Sequence, residues 1–252
     1  MKIGLAGFGK AGKAVANSIL QHADYSLEWV LKRSNHLQGR SAADVLGVES
    51  DEPGLIFSSS SITMPELLGR HPVDIIIDFS SETGIYTYGE AAAERKLIII
   101  SAVSHYGEEE HRLLKKLAEQ MVVFWSPNIT LGVNFLLCAA RCLKKIAPDV
   151  DIEIIEEHFK GKKGISGTAI KIANALDVQE SEIFSVRAGG IVGKHELIFG
   201  FPYQTVRLIH ESISREAFGN GVLFAADHLR GQKPGLYNFE DLLLPYFVLD
   251  QV

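Results

Sequence analysis

The sequence predicts an α/β protein in which a doubly wound parallel sheet domain is joined to a second α+β domain with an open mixed sheet. Three observations predict this class: short, almost wholly apolar runs alternate with amphipathic runs, a glycine turn follows the first apolar run, and the pattern changes after Pro127. Strands that are apolar throughout are typical of parallel sheets covered on both faces. Their alternation with helices indicates double winding.

The individual elements follow from local periodicity. In the first half, apolar runs predict strands at Lys2–Ala6, Leu27–Leu31, Val73–Phe79, Leu97–Ser101 and Met121–Trp125. Helical spacing predicts helices at Lys13–Leu20, Gly89–Lys96 and Glu108–Gln120. After Pro127 we expect helices at Asn134–Ile146, Thr168–Leu176 and Phe218–Leu229, and strands at Asp151–Glu156, Phe184–Val192, His195–Phe201 and Gln204–Ser212.

Composition excludes several classes of protein. The net charge of the 252 residues is −6 without a block of Lys or Arg, which argues against a nucleic-acid partner. No run approaches the roughly 20 apolar residues of a membrane span, and the N-terminus lacks a signal-peptide pattern. Cys138 and Cys142 share a predicted helix face and are expected to be buried thiols. No metal-ligand spacing is present, so we expect a soluble, cytoplasmic protein without a metal site.

The glycine turn carries the first functional signal. Gly7-Phe8-Gly9-Lys10-Ala11-Gly12 matches G-x-G-x-x-G between a strand and a helix, which is the context of a dinucleotide site. The glycines permit a tight turn, close approach of a pyrophosphate, and close packing of helix on strand. An ordinary glycine turn is the alternative. The motif therefore predicts a Rossmann-like domain that binds a nicotinamide dinucleotide.

The end of the second predicted strand bears on cofactor choice. NAD-selective sites place a carboxylate there to bind the ribose hydroxyls. This strand ends in Lys32-Arg33, with two cations and no carboxylate. The pair favours the 2′-phosphate of NADPH, although use of NADH as well, or a merely solvated pair of charges, stays open.

A second constellation runs from Glu156 to Ala169. Ser166-Gly167-Thr168 precedes a helical run, so its side chains can cap the helix while free N–H groups face a bound anion such as a carboxylate. His158 and Lys162 lie just upstream in a basic loop. A proton donor and an anion cradle therefore lie within one short segment, unless the segment is only a capped helix after a solvated loop.

The stretch from Ile152 to Ala169 resembles the signature of the dihydrodipicolinate reductase family. Further segments resemble that family in order and spacing, and together they cover nearly the whole chain: GFGKAG, IIIDFSS, SPNITLGVNFLL, SVRAGGIVGKHELIFG and FGNGVLFAADHL. The resemblance implies hydride transfer from NAD(P)H to an unsaturated cyclic imine dicarboxylate in lysine and diaminopimelate biosynthesis. It also implies a homotetramer assembled through the mixed sheet.

The resemblance assigns roles residue by residue. His158 matches the active-site histidine and Lys162 the proton-donating lysine. Ser166, Gly167 and Thr168 match the cradle for a substrate carboxylate, and Phe159 lies beside them. The positions that match the cofactor site are Gly7, Phe8, Gly9, Lys10, Ala11, Gly12, Arg33 with its neighbour Lys32, Phe79, Ser80, Ser101, Val103, Pro127 and Asn128.

The change of pattern near Pro127 predicts the first domain boundary. Residues 1–127 and 217–252 are expected to form the dinucleotide-binding domain, and residues 128–216 the substrate-binding and oligomerisation domain. The chain departs from the family at three places: Phe159 replaces a histidine, Lys163-Gly164-Ile165 replaces Asp-Ala-Pro, and Ser101-Ala102-Val103-Ser104 replaces Gly-Thr-Thr-Gly. These departures keep two alternatives open, a sister reductase of another cyclic imine or keto acid and a silent nucleotide-binding module.

Overall fold

The computed structural model of the chain describes residues 1–52 and 54–248, and it falls into two compact units. The first comprises Met1–Ile129 and Phe218–Leu242, and the second comprises Thr130–Ala217 with the segment from Leu243. We expected residues 243–252 in the dinucleotide domain. The described part of that segment groups with the second unit instead. Within that unit Phe247 stacks on Phe135 with ring centroids 5.5 Å apart.

The first unit opens with alternating strands and helices. Its strands are β1 (Lys2–Ala6), β2 (Ser26–Lys32), β3 (Leu55–Ser58), β4 (Ile75–Asp78), β5 (Ile98–Ser101) and β6 (Val122–Trp125). Its helices are α1 (Lys10–Leu20), α2 (Ala42–Leu46), α3 (Met64–Arg70), α4 (Gly84–Glu94) and α5 (Glu108–Ala118). The strands are nearly all buried, as expected of apolar strands that are covered on both faces.

The second unit contains α6 (Leu131–Ile146), β7 (Asp151–His158), α7 (Gly167–Leu176), β8 (Ile183–Arg187), β9 (Gly193–Phe201) and β10 (Gln204–Ser212). Strand β8 ends at Arg187, five residues before the end that we predicted, because Gly189 takes a positive φ of 49° in the turn that follows. The chain then returns to the first unit with α8 (Ala217–Leu229), β11 (Gly235–Tyr237) and α9 (Phe239–Leu243).

Within the described residues, the first unit holds a seven-stranded parallel sheet of order β11-β6-β5-β4-β1-β2-β3. The chain reverses direction across this sheet between β1 and β4. In open α/β sheets, ligands bind beyond the carboxyl ends of the strands at this switch point. The glycine turn Gly7–Gly12, called the phosphate turn from here on, lies there, directly after β1.

The described part of the second unit holds a four-stranded mixed sheet of order β10-β9-β7-β8, in which β9 is antiparallel to both neighbours. Helices α6 and α7 pack on one face of it, over Ile154, Leu197 and Phe199. This architecture confirms the predicted fold class. Cys138 is buried as expected, whereas Cys142 is exposed, so the prediction for the second thiol is wrong.

Candidate active site

The turn between β1 and α1 has the geometry that a dinucleotide pyrophosphate requires. Gly7 has a φ of +94°, and a Cβ there would lie 2.5 Å from the Phe79 carbonyl oxygen. A Cβ on Gly12 would lie 2.2 Å from the Gly7 carbonyl oxygen, so only glycine lets the helix approach the turn so closely. Gly9 borders open space instead. Each glycine thus satisfies the role that its place in the motif predicts.

A cavity of about 470 Å³ opens beside this turn, wholly within the first unit. Helix α1 starts after Gly9 without a side-chain cap and without an acidic residue in its first turn, which leaves its N–H groups available to an anion. The cavity is lined by Ala6, Gly7, Phe8, Gly9, Leu31, Lys32, Arg33, Ser34, Ser59, Phe79, Ser80, Ser81, Thr83, Gly84, Thr87 and Tyr88.

Both cations at the end of β2 line this cavity, and no lining residue is a carboxylate. Lys32 Nζ donates a hydrogen bond to the His36 carbonyl oxygen at 3.0 Å, whereas Arg33 is exposed. Ser59, which follows β3, lines the same wall and carries a hydroxyl group. The wall therefore offers a guanidinium and hydroxyl groups, the donors that suit a phosphate.

The other residues predicted for the cofactor site lie outside this lining: Lys10, Ala11, Gly12, Ser101, Val103, Pro127 and Asn128. Lys10 is the exposed first residue of α1. Ser101 ends β5 and is buried, and Val103 is buried in the segment that follows. The Trp125 indole N–H donates to the Val103 carbonyl oxygen at 2.9 Å and fixes that segment.

In the second unit, polar side chains occupy the helix-facing side of the mixed sheet. Glu156, on β7, is wholly buried and accepts hydrogen bonds from Arg187 and Ser185 of β8. Its second oxygen contacts His158 Nδ1. A carboxylate only accepts, so Nδ1 carries the proton and Nε2 of a neutral His158 is left as an acceptor.

Burial shapes the protonation of these groups. Burial raises the pKa of Glu156, but the hydrogen bonds from Arg187, Ser185 and His158 outweigh it, and the net pKa is lowered. Burial lowers the pKa of His158 in spite of the neighbouring carboxylate, and the nearby Lys162 and Arg187 lower it further. At neutral pH the cluster therefore pairs an ionised Glu156 with a neutral His158.

Ser166 begins helix α7 and is held from two directions. Its Oγ accepts the Ala169 N–H at 3.1 Å as the helix N-cap, and it lies 3.0 Å from His195 Nε2. The His195 and His158 rings meet edge to face with centroids 5.5 Å apart. Gly167 and Thr168 form the first turn of α7, which lacks an acidic residue. The helix end thus has the arrangement of an anion cradle.

The loop between His158 and Ser166 is tied down by Arg187. Its guanidinium donates to the Lys162 carbonyl oxygen at 3.2 Å and to the Gly164 carbonyl oxygen at 2.6 Å, while it also contacts Glu156. Lys162 is half-buried. Lys160 and Lys163 are exposed, as is Phe159. The structure therefore links His158 and Lys162 through Arg187 and Glu156, while Ser166 joins them only through the contact of His195 with His158.

Sequence reasoning missed several members of these networks, above all Glu156, Arg187 and the fully buried Asp78 of β4. His195 of β9, which is hydrogen-bonded to Ser166, was likewise not among the residues predicted for the site. The parity of β7 was an available signal. Ile154, Glu156 and His158 alternate along the strand, so a buried Ile154 predicts that both polar groups face the helices.

Among the described residues, no group of three or more His, Cys, Asp or Glu side chains is arranged to hold a metal ion. Within the same part of the chain, every helix is too short or too polar to cross a membrane.

Comparison with known proteins places the chain in a family. The family model for the dihydrodipicolinate reductase N-terminus matches residues 1–129, and the model for the C-terminus matches residues 132–243. A curated 4-hydroxy-tetrahydrodipicolinate reductase from Caldanaerobacter subterraneus subsp. tengcongensis is 36% identical over 196 residues, covering 69% of this chain and 78% of that relative. One from Syntrophus aciditrophicus is 29% identical over 265 residues, covering 94% and 96%.

Solved structures agree in fold. A dipicolinate-bound dihydrodipicolinate reductase from Paenisporosarcina sp. TG-14 superposes with a TM-score of 0.79 at 20% identity, covering 94% of this chain and 97% of that chain. An amine dehydrogenase from Mycobacterium smegmatis gives a TM-score of 0.63 at 10% identity, covering 95% of each chain. The two family models together account for nearly the whole sequence. The chain therefore belongs to the dihydrodipicolinate reductase family, whose members are NAD(P)H-dependent oxidoreductases.

Proposed function

We propose that this chain reduces 4-hydroxy-tetrahydrodipicolinate to tetrahydrodipicolinate, with NADPH as the preferred hydride donor and with the 4-hydroxyl group leaving as water. One observation carries the residue assignment: Arg187 holds the Lys162 loop against the Glu156–His158 pair, next to the capped start of α7. That arrangement combines an anion cradle, a neutral imidazole and an ammonium group. Such a combination suits a dicarboxylate that must be held and protonated.

The cofactor residues of the proposal lie in the first unit. Bound NAD(P)H supplies the hydride. The turn Gly7–Gly12 and the N-terminus of α1 would hold the pyrophosphate, since glycine backbone and free N–H groups meet there. Arg33 would bind the 2′-phosphate of NADPH through charge-assisted hydrogen bonds. Of the remaining assigned residues, Phe8, Phe79 and Ser80 line the same cavity.

The substrate residues of the proposal lie in the second unit. Ser166, Gly167 and Thr168 would bind one carboxylate at the start of α7, where the N–H groups and the helix dipole favour an anion. His158 would accept a hydrogen bond at Nε2, because Glu156 holds the proton on Nδ1. Phe159 is 44% exposed beside this site and offers an apolar surface to the substrate ring.

Lys162 would donate the proton that follows hydride addition. Hydride transfer leaves an electron pair on the unsaturated ring, and an ammonium group can both attract the dianionic substrate and protonate that position. Lys162 lies close enough to His158 and His195 for its charge to lower the pKa of both. Lys160 and Lys163, in the same loop, are both exposed.

Kinetics of three single variants test the assignment. Lys162→Ala should lower kcat by about 10²- to 10⁴-fold, the usual contribution of general acid catalysis. Lys160→Ala and Lys163→Ala are matched controls from the same loop and should keep kcat near the wild-type value. A Lys162→Ala enzyme with normal kcat, or a Lys160→Ala or Lys163→Ala enzyme with the large loss, would refute the assignment to Lys162.

A second candidate function is reduction of a related cyclic imine or keto acid, and turnover of 4-hydroxy-tetrahydrodipicolinate separates it from the proposed reaction. Phe159 stands where the family has a histidine, which motivates this second candidate. Dipicolinate, the ligand of the solved relative, serves as a non-reacting dicarboxylate probe. If dipicolinate competes with the true substrate, weaker competition in Ser166→Ala or Thr168→Ala than in the wild type supports the cradle.

We further propose that the chain forms a homotetramer through the uncovered face of the mixed sheet. Phe184, Val186 and Ile209 are 59%, 41% and 55% exposed. Phe184 pairs with Ile155 of β7, and Ile209 pairs with Glu196 of β9. Ile155 and Glu196 pair with each other, so Phe184 and Ile209 lie on the same face of the sheet, opposite α6 and α7. Apolar surface of this kind supports association between copies.

A further inference from the structure

Asp78 is a fully buried carboxylate at the carboxyl end of β4, beside the phosphate turn. In the sheet register it lies opposite Ala6 at the end of β1 and Ser101 at the end of β5. Its hydrogen bonds come from hydroxyl groups and a backbone N–H, and not from a cationic side chain. A buried carboxylate is costly unless it is fully hydrogen-bonded, so its partners reveal what it organises.

The first set of partners belongs to the loop after β4. The Ser80 N–H donates to Asp78 Oδ1 at 2.8 Å, and the Ser80 hydroxyl donates to the same oxygen. These bonds fix the Phe79–Ser80 peptide. That peptide packs against Gly7, where an added Cβ would lie 2.5 Å from the Phe79 oxygen and 2.7 Å from the Ser80 nitrogen. Asp78 therefore sets the wall against which the phosphate turn is formed.

The second set comes from helix α4 and from the segment after β5. The Tyr88 hydroxyl donates to Asp78 Oδ2 at 2.6 Å, and the Tyr106 hydroxyl reaches the same oxygen at 3.4 Å. Tyr106 also lies 2.8 Å from the Ser101 hydroxyl, which accepts the Val103 N–H at 3.4 Å. The segment from Ser101 to Tyr106 is thereby closed into a loop that is tied to Asp78.

The direction of these hydrogen bonds follows from the carboxylate. Burial raises the pKa of Asp78, and the hydrogen bonds from Ser80, Tyr88 and Tyr106 offset only part of that rise. When Asp78 is ionised it can only accept, so in that state Tyr106 donates to it and the Ser101 hydroxyl donates to Tyr106. Burial, followed by the Asp78 charge, raises the pKa of Tyr88 and of Tyr106, which keeps both hydroxyls protonated as donors. The hydrogen bonds of the network therefore converge on one buried carboxyl group.

We propose that Asp78 is a positioning residue for the dinucleotide: through Ser80, Tyr88 and Tyr106 it fixes the loops after β1, β4 and β5 in the arrangement that binds NAD(P)H. The inference rests on the proposed function. Asp78 itself does not line the cavity, whereas Arg33, the residue proposed to bind the 2′-phosphate, does. Loss of Asp78 should therefore weaken NADPH and NADH by the same factor, whereas loss of Arg33 should weaken NADPH selectively.

Calorimetric titration of NADPH and of NADH into the intact enzyme tests this inference. Asp78→Ala leaves several buried donors unpaired and should weaken both dinucleotides roughly ten- to hundredfold. Asp78→Asn should bind within about threefold of the wild type. Its amide oxygen can still accept from Ser80, and its NH₂ can donate to tyrosine hydroxyls, which also accept. Near-normal binding by Asp78→Asn would show that the hydrogen bonds of residue 78, and not its charge, position the loops.

Single hydroxyl deletions keep the test valid if Asp78→Ala does not fold. Tyr88→Phe and Tyr106→Phe should each weaken both dinucleotides, by roughly three- to tenfold. Tyr86→Phe is the matched control: Tyr86 lies two residues from Tyr88 and is 51% exposed, and its hydroxyl donates to Glu110 at 2.8 Å, outside the network. It should leave both affinities unchanged.

The outcomes separate this inference from the proposed function. Wild-type affinities in Tyr88→Phe and Tyr106→Phe would overturn the inference, as would an Asp78→Asn enzyme that is as weak as Asp78→Ala. A loss confined to NADPH would also overturn it. A wild-type chain that binds neither dinucleotide would refute the proposed function first, and this inference with it.

Discussion

Lowering the pH should destabilise the second unit, because the buried His195 then becomes protonated. This ring is 5% exposed, and burial, reinforced by the nearby His158 and His210, lowers its pKa from 6.5 to about 4. Because the folded pKa is below the unfolded value, the unfolded chain binds the proton more tightly, and stability falls as the pH drops. The loss begins near pH 6.5 and is complete near pH 4.

The magnitude follows from the same values. A histidine whose pKa falls from 6.5 to about 4 destabilises the fold by about 3 kcal/mol once the pH is below both values. That is a substantial part of the roughly 5–15 kcal/mol that stabilises an ordinary domain. Glu156 adds a loss in the same direction at lower pH, since its depressed pKa gives stability that is present above 4.5 and lost below.

The assay must report on the mixed sheet. The two tryptophans, Trp29 and Trp125, both lie in the first unit, so their fluorescence does not follow β9. Amide hydrogen exchange of peptides from β9 and α7, measured between pH 7 and pH 4 and corrected for intrinsic exchange, does. His195→Gln should remove most of the slope between pH 6.5 and 4.5. His105→Gln, a change at an exposed histidine of the first unit, is the control and should keep the wild-type slope. Equal slopes in wild type and His195→Gln would refute the reasoning.

Two further predictions concern the cofactor and the assembly. Arg33→Ala should weaken NADPH roughly ten- to hundredfold in calorimetric titration and change NADH little, because only NADPH carries the 2′-phosphate; equal losses for both would contradict it. Ile209→Arg should dissociate the homotetramer in light scattering by placing charge on the uncovered sheet face, whereas Ile146→Arg, equally drastic at a 74% exposed helix end, should not. A monomeric wild type would refute the assembly.

The fold could be predicted where the chemistry is local. Apolar runs such as Val73–Phe79 bury both faces of a strand, and the glycine turn follows from conformations that other residues avoid. The last part of the predicted strand Phe184–Val192 was wrong because two consecutive glycines form a turn there. The grouping of the C-terminal segment with the second unit was also missed, since it rests on contacts between residues far apart in sequence, such as the stacking of Phe247 on Phe135.

The candidate site was predictable only in part, because some of its residues come from distant parts of the sequence. His158, Lys162 and Ser166 lie within one segment whose spacing can be read directly. Arg187 and His195 reach that segment from other strands; His195 meets Ser166 across 29 positions of sequence. Strand register decides such meetings, and no local pattern encodes it. Asp78 was missed likewise, because its tyrosine partners come from a helix and from a later loop.

The central claim is tested most directly by turnover of 4-hydroxy-tetrahydrodipicolinate, followed as the loss of NADPH absorbance with the purified chain. We predict saturable NADPH oxidation that depends on this substrate, that dipicolinate inhibits competitively, and that gives tetrahydrodipicolinate in equal amount. NADPH oxidation that stays at background with this substrate would contradict the account, particularly if the same preparation still binds NADPH.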